Sequence, residues 1–289
     1  YPSLDAALAD ATADAVLVAT PPATHRAVAE AALAAGAHVL LEKPLATTIE
    51  DARALVAAAD GAGRTLMVSQ NYRFRRPARA VQQLVAEGAI GALLSVAIRC
   101  RRDTRALWPA DDFRYRMEHP FILDMSIHHL DLLRALTGRE ATRLVARGWR
   151  VPDSPFRHDP AVVALVDLED GAGVTYEGTW ATHEPETSWN GDWDLLGEQG
   201  RFTWTGGLPD ATVGDVTLHR WGEPPRAVAQ PRLAHVDRAG TLHAFRLAIE
   251  TGAEPETRAC DNLKSLALVL ACAASVESGA PVDLATWQV

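Results

Sequence analysis

The sequence predicts a two-domain α/β protein. Residues 1–73 carry strands of a doubly wound parallel sheet, and residues 74–289 form an α+β domain with a large, mainly antiparallel sheet. Three observations predict this fold class. Strand and helix patterns alternate in the first part, strand patterns follow one another directly in the later part, and 289 residues suit two domains.

The first domain alternates strands and helices with short connections. Residues 14–20 form a short apolar run rich in β-branched side chains, as a buried parallel strand requires. In chain order we expect a strand at 14–20, a helix at 24–35, a strand at 38–41, a helix from a Thr47–Glu50 capping box to Ala59, and a strand at 65–69. Right-handed crossovers would place these strands in one parallel sheet.

Polar residues follow each of these three strands. The clusters are Thr20-Pro21-Pro22, Glu42-Lys43-Pro44 and Asn71-Tyr72-Arg73. In doubly wound sheets, ligands bind beyond the carboxyl ends of the strands. One proline after a strand commonly does no more than end it, but three polar strand ends on one edge predict a binding site.

The second domain begins with a change of pattern after Arg73. In chain order we expect a helix at 78–87, a strand at 93–102, a loop at 105–119, a helix at 122–136, strands at 143–148, 161–168, 174–180, 192–197, 201–204 and 216–221, and helices at 241–250 and 262–278. Successive strands separated by glycine turns indicate an antiparallel sheet, which the helices would cover.

The helix at 122–136 carries three titratable side chains among apolar ones. At 100° per residue, Asp124 and His128 lie about 40° apart around the axis, and Asp131 falls on the same stripe. A carboxylate one turn from a histidine can fix the ring while its other nitrogen faces a substrate. The alternative is a buried helix whose polar groups satisfy one another. Three such groups on one stripe favour catalysis.

Lysine is almost absent from this sequence. Only two of its 28 basic residues are lysines, Lys43 and Lys264, and the others are arginines. Arginine keeps its proton in proteins, whereas a lysine amine is a compact charge whose pKa shifts readily. An amine retained at the end of a predicted strand therefore marks Lys43 as a candidate functional residue. Lys264, on a predicted helix surface, has no such context.

Composition argues against several classes of protein. The net charge is −9, so a nucleic-acid or anionic-membrane surface is not expected, and we expect no apolar run of membrane-spanning length. Three cysteines, an odd number without metal-ligand spacing, are typical of reduced thiols in a cytoplasmic protein. No cluster of histidine and cysteine suggests a metal site.

Four motifs together resemble a known family. They are Thr20-Pro21-Pro22 with His25, Glu42-Lys43-Pro44, Asn71-Tyr72-Arg73, and Asp124-x-Ser126-x-His128-x-x-Asp131. This set resembles the Gfo/Idh/MocA oxidoreductases, which include glucose-fructose oxidoreductase and inositol dehydrogenases. The resemblance covers almost the whole chain. It implies a Rossmann domain that binds NAD or NADP, a sugar or polyol substrate, and a homo-oligomer formed through the large sheet.

The resemblance also implies roles for individual residues. The implied catalytic residues are Lys43, Asp124 and His128. The residues expected along the cofactor are Thr20, Pro21, Pro22, His25, Glu42, Lys43, Asn71 and Arg73. Those expected at the substrate are Lys43, Tyr72, Asp124, His128 and Trp189. Ser126 stands where the family commonly has glycine, and we expect it to affect substrate fit.

The implied reaction is hydride transfer between a nicotinamide and a secondary alcohol of a sugar, polyol or cyclitol-like ring. Hydride can leave carbon only as the hydroxyl proton departs, so a base must reach that oxygen. We assign this base to His128 and stabilisation of the developing alkoxide to Lys43, although the sequence leaves open which of the two takes the proton. Asp124 would orient the hydroxyl and tune His128.

Two rival interpretations remain at this point. The first is a non-catalytic substrate-binding or scaffold relative that has lost the cofactor half of the fold. The second is a metal-dependent hydrolase that uses Asp124, His128 and Asp131, and it ranks last because no partner cluster is visible. Retention of Lys43 with Asp124 and His128 favours the enzyme.

The printed sequence contains no G-x-G-x-x-G turn, which the resemblance places ahead of these strands. We therefore expect the chain to be a fragment of a complete enzyme, with a relative that no longer binds the cofactor as the alternative. In a fragment, the apolar edge of strand 14–20 at Val16, Leu17 and Val18 would promote self-association.

Overall fold

Internal contacts divide the chain into two units. The computed structural model describes residues 1, 3–10, 13–183, 185–206 and 214–287. The first unit contains Tyr1–Asn71 and Asp237–Ala267, and the second contains Tyr72–Val236 and Leu268–Gln288. Residues 237–267, assigned from sequence to the second domain, thus group with the first unit.

The first unit contains a parallel sheet of three strands in the order β1-β2-β3. Its strands are β1 (Ala15–Val18), β2 (His38–Leu41) and β3 (Leu66–Val68), and its helices include α1 (Leu4–Asp10), α2 (His25–Ala34) and α3 (Ile49–Ala62). The predicted alternation and parallel pairing are confirmed, whereas α1 was not predicted. Leu17, on edge strand β1, is 58% exposed.

The start of α3 differs by one residue from the predicted capping box. The side chain of Thr48, not Thr47, accepts the backbone N–H of Asp51 at 3.1 Å. Two adjacent threonines can each cap a helix, so the motif alone did not fix the choice. The helix ends at Ala62, three residues beyond Ala59, and is followed by Gly63 in the left-handed conformation.

The second unit contains a sheet of nine strands in the order β11-β10-β9-β8-β4-β7-β6-β5-β12. The strands are β4 (Leu93–Arg101), β5 (Ala141–Trp149), β6 (Ala161–Leu168), β7 (Gly173–Thr179), β8 (Asp192–Gly197), β9 (Gly200–Thr205), β10 (Asp215–Arg220), β11 (Arg226–Ala227) and β12 (Val282–Asp283). Among the strands that the structure describes in this sheet, β4 and β7 alone pair in parallel, so the mainly antiparallel sheet is confirmed.

The remaining helices are α4 (Arg76–Ala86), α5 (Ile127–Thr137), α6 (Asp237–Thr251) and α7 (Ala259–Ser278). One face of the large sheet is buried and the other is open, as β6 shows. Its Val162, Ala164 and Val166 are buried, while the alternate Val163 and Leu165 are exposed. The core of the second unit lies on the buried face.

The predicted helix at 122–136 consists of two parts. A π-helical segment, Phe121–Ser126, precedes α5. Phe121 packs against the backbone of Gly178 in β7, where an added Cβ would lie 1.9 Å from the phenyl ring. The Ser126 hydroxyl donates to the Phe121 carbonyl at 3.2 Å. The 100° spacing assumed for Asp124 therefore does not hold, because a π-helix turns less per residue.

Helix α7 corrects the expectation about membrane-spanning length. It has 20 residues with a mean hydropathy of 1.4, enough to cross a membrane by length and composition alone. Most of this apolar stretch, 61%, is buried inside the protein, as in a core helix.

Candidate active site

His25 ties together the ends of β1 and β2 in the first unit. The side chain is fully buried. Its Nδ1 lies 2.8 Å from the carbonyl oxygen of Pro44, and its Nε2 lies 2.9 Å from the carbonyl oxygen of Thr20. Both ring nitrogens are thus engaged with backbone, so His25 shapes the predicted cofactor edge by holding Thr20 and Pro44 in place.

The Glu42-Lys43-Pro44 cluster follows β2 as predicted. All three residues are half-buried, and the Lys43–Pro44 peptide bond is cis. The backbone N–H of Lys43 donates to the Glu42 carboxylate at 3.2 Å. Thr20 and Pro21, at the end of β1, are exposed, and Pro22 begins a short 3₁₀ helix.

Gln70 was not selected from the sequence, yet its amide is the least satisfied polar group at this edge. It follows β3, is 1% exposed, and neither its Oε1 nor its Nε2 has a hydrogen-bond partner in the described part of the chain. A buried amide without partners needs an explanation, because its desolvation is costly. A bound nicotinamide cofactor, rich in donors and acceptors, fits this requirement.

Asn71 is also buried beside this edge. Its side-chain amide donates to the carboxylate of Asp237 at the start of α6, within the first unit. This contact holds the segment after β3 and orients the amide predicted to lie along the cofactor.

Asp131 is engaged in a buried ion pair with Arg73 in the second unit. Arg73 Nε lies 2.7 Å from Oδ2 and Nη2 lies 2.6 Å from Oδ1, with the side chains 8% and 2% exposed. A bidentate pair of this kind satisfies both desolvated charges. It gives Asp131 and Arg73 a structural role; the predicted contact of Arg73 with the cofactor stays a prediction.

His128 stacks on Tyr72, one of the predicted substrate residues. The two ring centroids are 4.3 Å apart with 9° between the planes. The guanidinium carbon of Arg75 lies over the Tyr72 ring, 3.3 Å from its centroid, and Arg75 Nη1 donates to the side chain of Asn190. Tyr72 therefore acts as a packed support that sets the plane of the His128 imidazole.

Asp124 forms an ion pair with Arg114. Arg114 Nε donates to Asp124 Oδ2 at 2.8 Å, and the Asp124 side chain is 19% exposed. Arg114 lies in the stretch 105–119, whose apolar residues follow neither a helical nor a strand spacing. The sequence therefore did not indicate a functional role for this residue. The structure places a short 3₁₀ helix there, Phe113–Tyr115.

The neighbouring His129 belongs to the core. It is fully buried, its Nε2 faces the Trp189 carbonyl oxygen at 2.9 Å, and its Nδ1 faces the Tyr176 hydroxyl at 3.0 Å. The Tyr176 hydroxyl is in turn 2.8 Å from the Ser126 hydroxyl. Ser126 is thus part of a buried hydrogen-bond network; its predicted effect on substrate fit stays a prediction.

Trp189 combines a backbone and a side-chain contact. Its carbonyl oxygen holds His129, and the guanidinium of Arg102 lies over its ring at 4.5 Å from the centroid. Arg102 also pairs with Glu186 at 3.0 Å. The structure thus gives the half-buried indole a packing role; its predicted contact with substrate stays a prediction.

Burial lowers the pKa of His129 from 6.5 to about 4, with Arg75 acting in the same direction. Between these values the unfolded chain binds a proton that the folded protein does not. The free energy of unfolding therefore falls as the pH drops from 6.5 to 4, by up to about 3 kcal/mol from this group.

We expect urea unfolding measured between pH 7 and pH 4 to show this loss of stability. In His129→Gln the free energy of unfolding should depend less on pH, whereas His158→Gln, at an exposed histidine, should show the same dependence as the wild type. The same pH dependence in all three proteins would contradict the role assigned to His129.

No group of three or more histidine, cysteine or acidic side chains suited to a metal ion occurs within residues 1, 3–10, 13–183, 185–206 and 214–287. Both Asp131 oxygens bind Arg73, so the ligand set of a metal-dependent hydrolase is not assembled. The three cysteines are free thiols.

The first unit has a parallel sheet with polar strand ends, and the second fixes Asp124 and His128 through neighbouring side chains. This arrangement is the one expected of a dinucleotide-dependent oxidoreductase. Comparison with known proteins agrees. The model described as "Oxidoreductase family, NAD-binding Rossmann fold" matches residues 1–70, and that of the "GFO/IDH/MocA C-terminal domain" matches residues 78–203. The chain belongs to the Gfo/Idh/MocA family.

Two of the similar proteins are named as dehydrogenases of D-apiose and of inositol. A D-apiose dehydrogenase from Paraburkholderia graminis is 31% identical, over 94% of this chain and 73% of its own length. Inositol 2-dehydrogenase 1 from Saccharopolyspora erythraea is 30% identical, over 96% and 79%. The solved structure of an oxidoreductase from Agrobacterium radiobacter in complex with NAD+, L-tartaric acid and magnesium matches with a TM-score of 0.87 at 26% identity, covering 99% of this chain and 84% of that one.

Proposed function

We propose that this protein is an NAD(P)-dependent dehydrogenase or reductase that transfers hydride between the nicotinamide and a secondary alcohol of a sugar, polyol or cyclitol. The observation that carries the proposal is that Asp124 and His128 are each held by a neighbouring side chain. Arg114 pairs with the Asp124 carboxylate, and Tyr72 stacks on the His128 imidazole. Family membership adds the nicotinamide chemistry.

The proposed role of His128 is to take the hydroxyl proton during oxidation and return it during reduction. A bound nicotinamide supplies the site that accepts or donates hydride. Stacking on Tyr72 fixes the plane of the imidazole, so that its nitrogens keep one direction. A general base of this kind contributes about 10²- to 10⁴-fold to the rate.

The proposed role of Lys43 is to donate a hydrogen bond to the same substrate oxygen and to stabilise its negative charge as hydride leaves. A compact ammonium suits this task better than a planar guanidinium. The proposed role of Asp124 is to accept a hydrogen bond from the substrate hydroxyl and so to orient it. Support for these roles comes from the match of all three residues to the family pattern quoted above.

The residues of the first unit that would hold the cofactor are those at the carboxyl ends of β1, β2 and β3. Thr20, Pro21, Pro22 and Glu42 offer backbone and carboxylate oxygens there, while Gln70 and Asn71 offer buried amides. His25 would contribute indirectly, since its ring holds the loops after β1 and β2.

An activity panel tests this proposal. The protein as its gene encodes it, including any residues before Tyr1, is assayed with D-apiose, D-glucose and myo-inositol, each with NAD+ and with NADP+. We expect nicotinamide reduction with at least one pair. Binding of a sugar without any turnover, measured by calorimetry, would instead favour the non-catalytic scaffold relative.

We also propose a cytoplasmic homo-oligomer. The cytoplasmic location is supported by the three free cysteines, none of which is paired within the described residues.

The interface of the proposed oligomer is supported by the open face of the large sheet. On that face Val163 and Leu165 are 41% and 56% exposed, and Trp149 is 42% exposed. We expect Leu165→Lys to shift the molar mass by light scattering to that of a smaller species. Leu242→Lys, at a position of α6 that is 50% exposed and lies outside the large sheet, should not. An unchanged mass in Leu165→Lys would argue against this interface.

A further inference from the structure

Arg114 connects two carboxylates in the second unit. Its Nε donates to Asp124 Oδ2 at 2.8 Å, and its Nη1 lies 3.2 Å and 3.1 Å from the two carboxylate oxygens of Asp112. Asp112 also caps the 3₁₀ helix Phe113–Tyr115, because its Oδ1 accepts the backbone N–H of Arg114 at 2.9 Å. Backbone and side chain of Arg114 are thus anchored by one residue.

Aromatic rings restrict the guanidinium further. Its central carbon lies 4.6 Å from the centroid of Phe113 and 4.9 Å from that of Trp108. Trp108 is itself packed edge-on against the buried Trp180 and Tyr115. Cation–π contacts of this kind hold a planar guanidinium in one orientation, which a flexible lysine would not reproduce.

We propose that Arg114 is a positioning residue for the reaction proposed above, on which this inference rests. It fixes Asp124 by donating a hydrogen bond from its Nε to Oδ2 of that carboxylate. The anchor at Asp112 and the rings of Trp108 and Phe113 supply the rigidity. The consequence is that Arg114 acts on turnover only through Asp124.

A double-mutant cycle tests this dependence. Arg114→Gln removes the positive charge and the planar set of donors. We expect kcat to fall about 10- to 100-fold, because a small misplacement of a catalytic group costs up to about 100-fold in rate. The KM of the nicotinamide cofactor should change far less. In the Asp124→Asn background, Arg114→Gln should cause no further loss, because the group it positions has already been changed. Arg114→Lys should recover only part of the activity.

The matched control is Arg116→Gln. Arg116 lies two residues away, is exposed, and donates to the Asp111 carbonyl rather than to a site carboxylate. It carries the same charge change, and we expect wild-type kinetics. Thermal unfolding of each variant verifies that the fold is retained.

The outcomes separate the two proposals. A wild-type protein that turns over no substrate of the panel refutes the proposed function and this role together. An active wild type in which the Arg114 and Asp124 losses multiply in the double mutant overturns the positioning role alone. The same holds if Arg116→Gln loses as much activity as Arg114→Gln.

Discussion

Lys43→Ala is expected to lower kcat by about 10²- to 10³-fold, the range for loss of one donor to a developing oxyanion. Lys43 is the amine retained at the end of β2 in a chain that otherwise uses arginine almost throughout. Dissociation constants for NAD+ and NADP+, measured by calorimetry, should change by much less, because the amine serves the substrate oxygen. Lys43→Arg should be nearly as poor.

The control is Lys264→Ala, at the only other lysine of the sequence. Lys264 is exposed on α7, so we expect its removal to leave steady-state kinetics unchanged. If Lys43→Ala and Lys264→Ala both turn over at the wild-type rate, Lys43 has no part in the reaction.

His128→Asn is expected to lower kcat by about 10²- to 10⁴-fold in the oxidation direction. Wild-type activity should rise with pH through a single ionisation, and the variant should lose that dependence. The pH profile of kcat/KM, measured with the best substrate of the panel, checks this.

His129→Gln is the control for this profile. The pKa of His129 is about 4 because the ring is buried, so this group is already neutral over the range in which activity is expected to rise. We expect His129→Gln to lose stability but to keep the ionisation. If the ionisation disappears in His129→Gln and persists in His128→Asn, the catalytic assignment on α5 is wrong.

Strands β1 to β10 were predictable because each is a local apolar pattern, whereas β11 and β12, of two residues each, are too short to show one. β2, β6 and β8 have the bounds that their apolar runs indicated. Short connections between alternating strands and helices were enough to indicate the parallel sheet. The grouping of residues 237–267 with the first unit was not predictable, because it depends on contacts distant in sequence, such as the bonds of Thr257 to the backbone of Val68.

The candidate site was only partly predictable for the same reason. Motifs and the rarity of lysine selected Lys43, Asp124 and His128. The contacts that hold these residues in place join parts of the chain that are not neighbours in sequence patterns. Phe121 packs against Gly178, where a side chain would collide with the phenyl ring, and Arg114 binds Asp124 from a stretch without periodicity. Asp131 shared the stripe of His128 in sequence, but only the structure shows it neutralised by Arg73.

The most direct test of the account is the transfer of deuterium. The encoded protein is incubated with NAD(P)+ and with the best substrate of the panel, deuterated at its carbinol carbons, and the reduced nicotinamide is examined by mass spectrometry. We predict that deuterium appears in the nicotinamide and that a carbonyl product forms in equal amount. A product whose deuterium is lost to water, with none in the nicotinamide, would contradict hydride transfer.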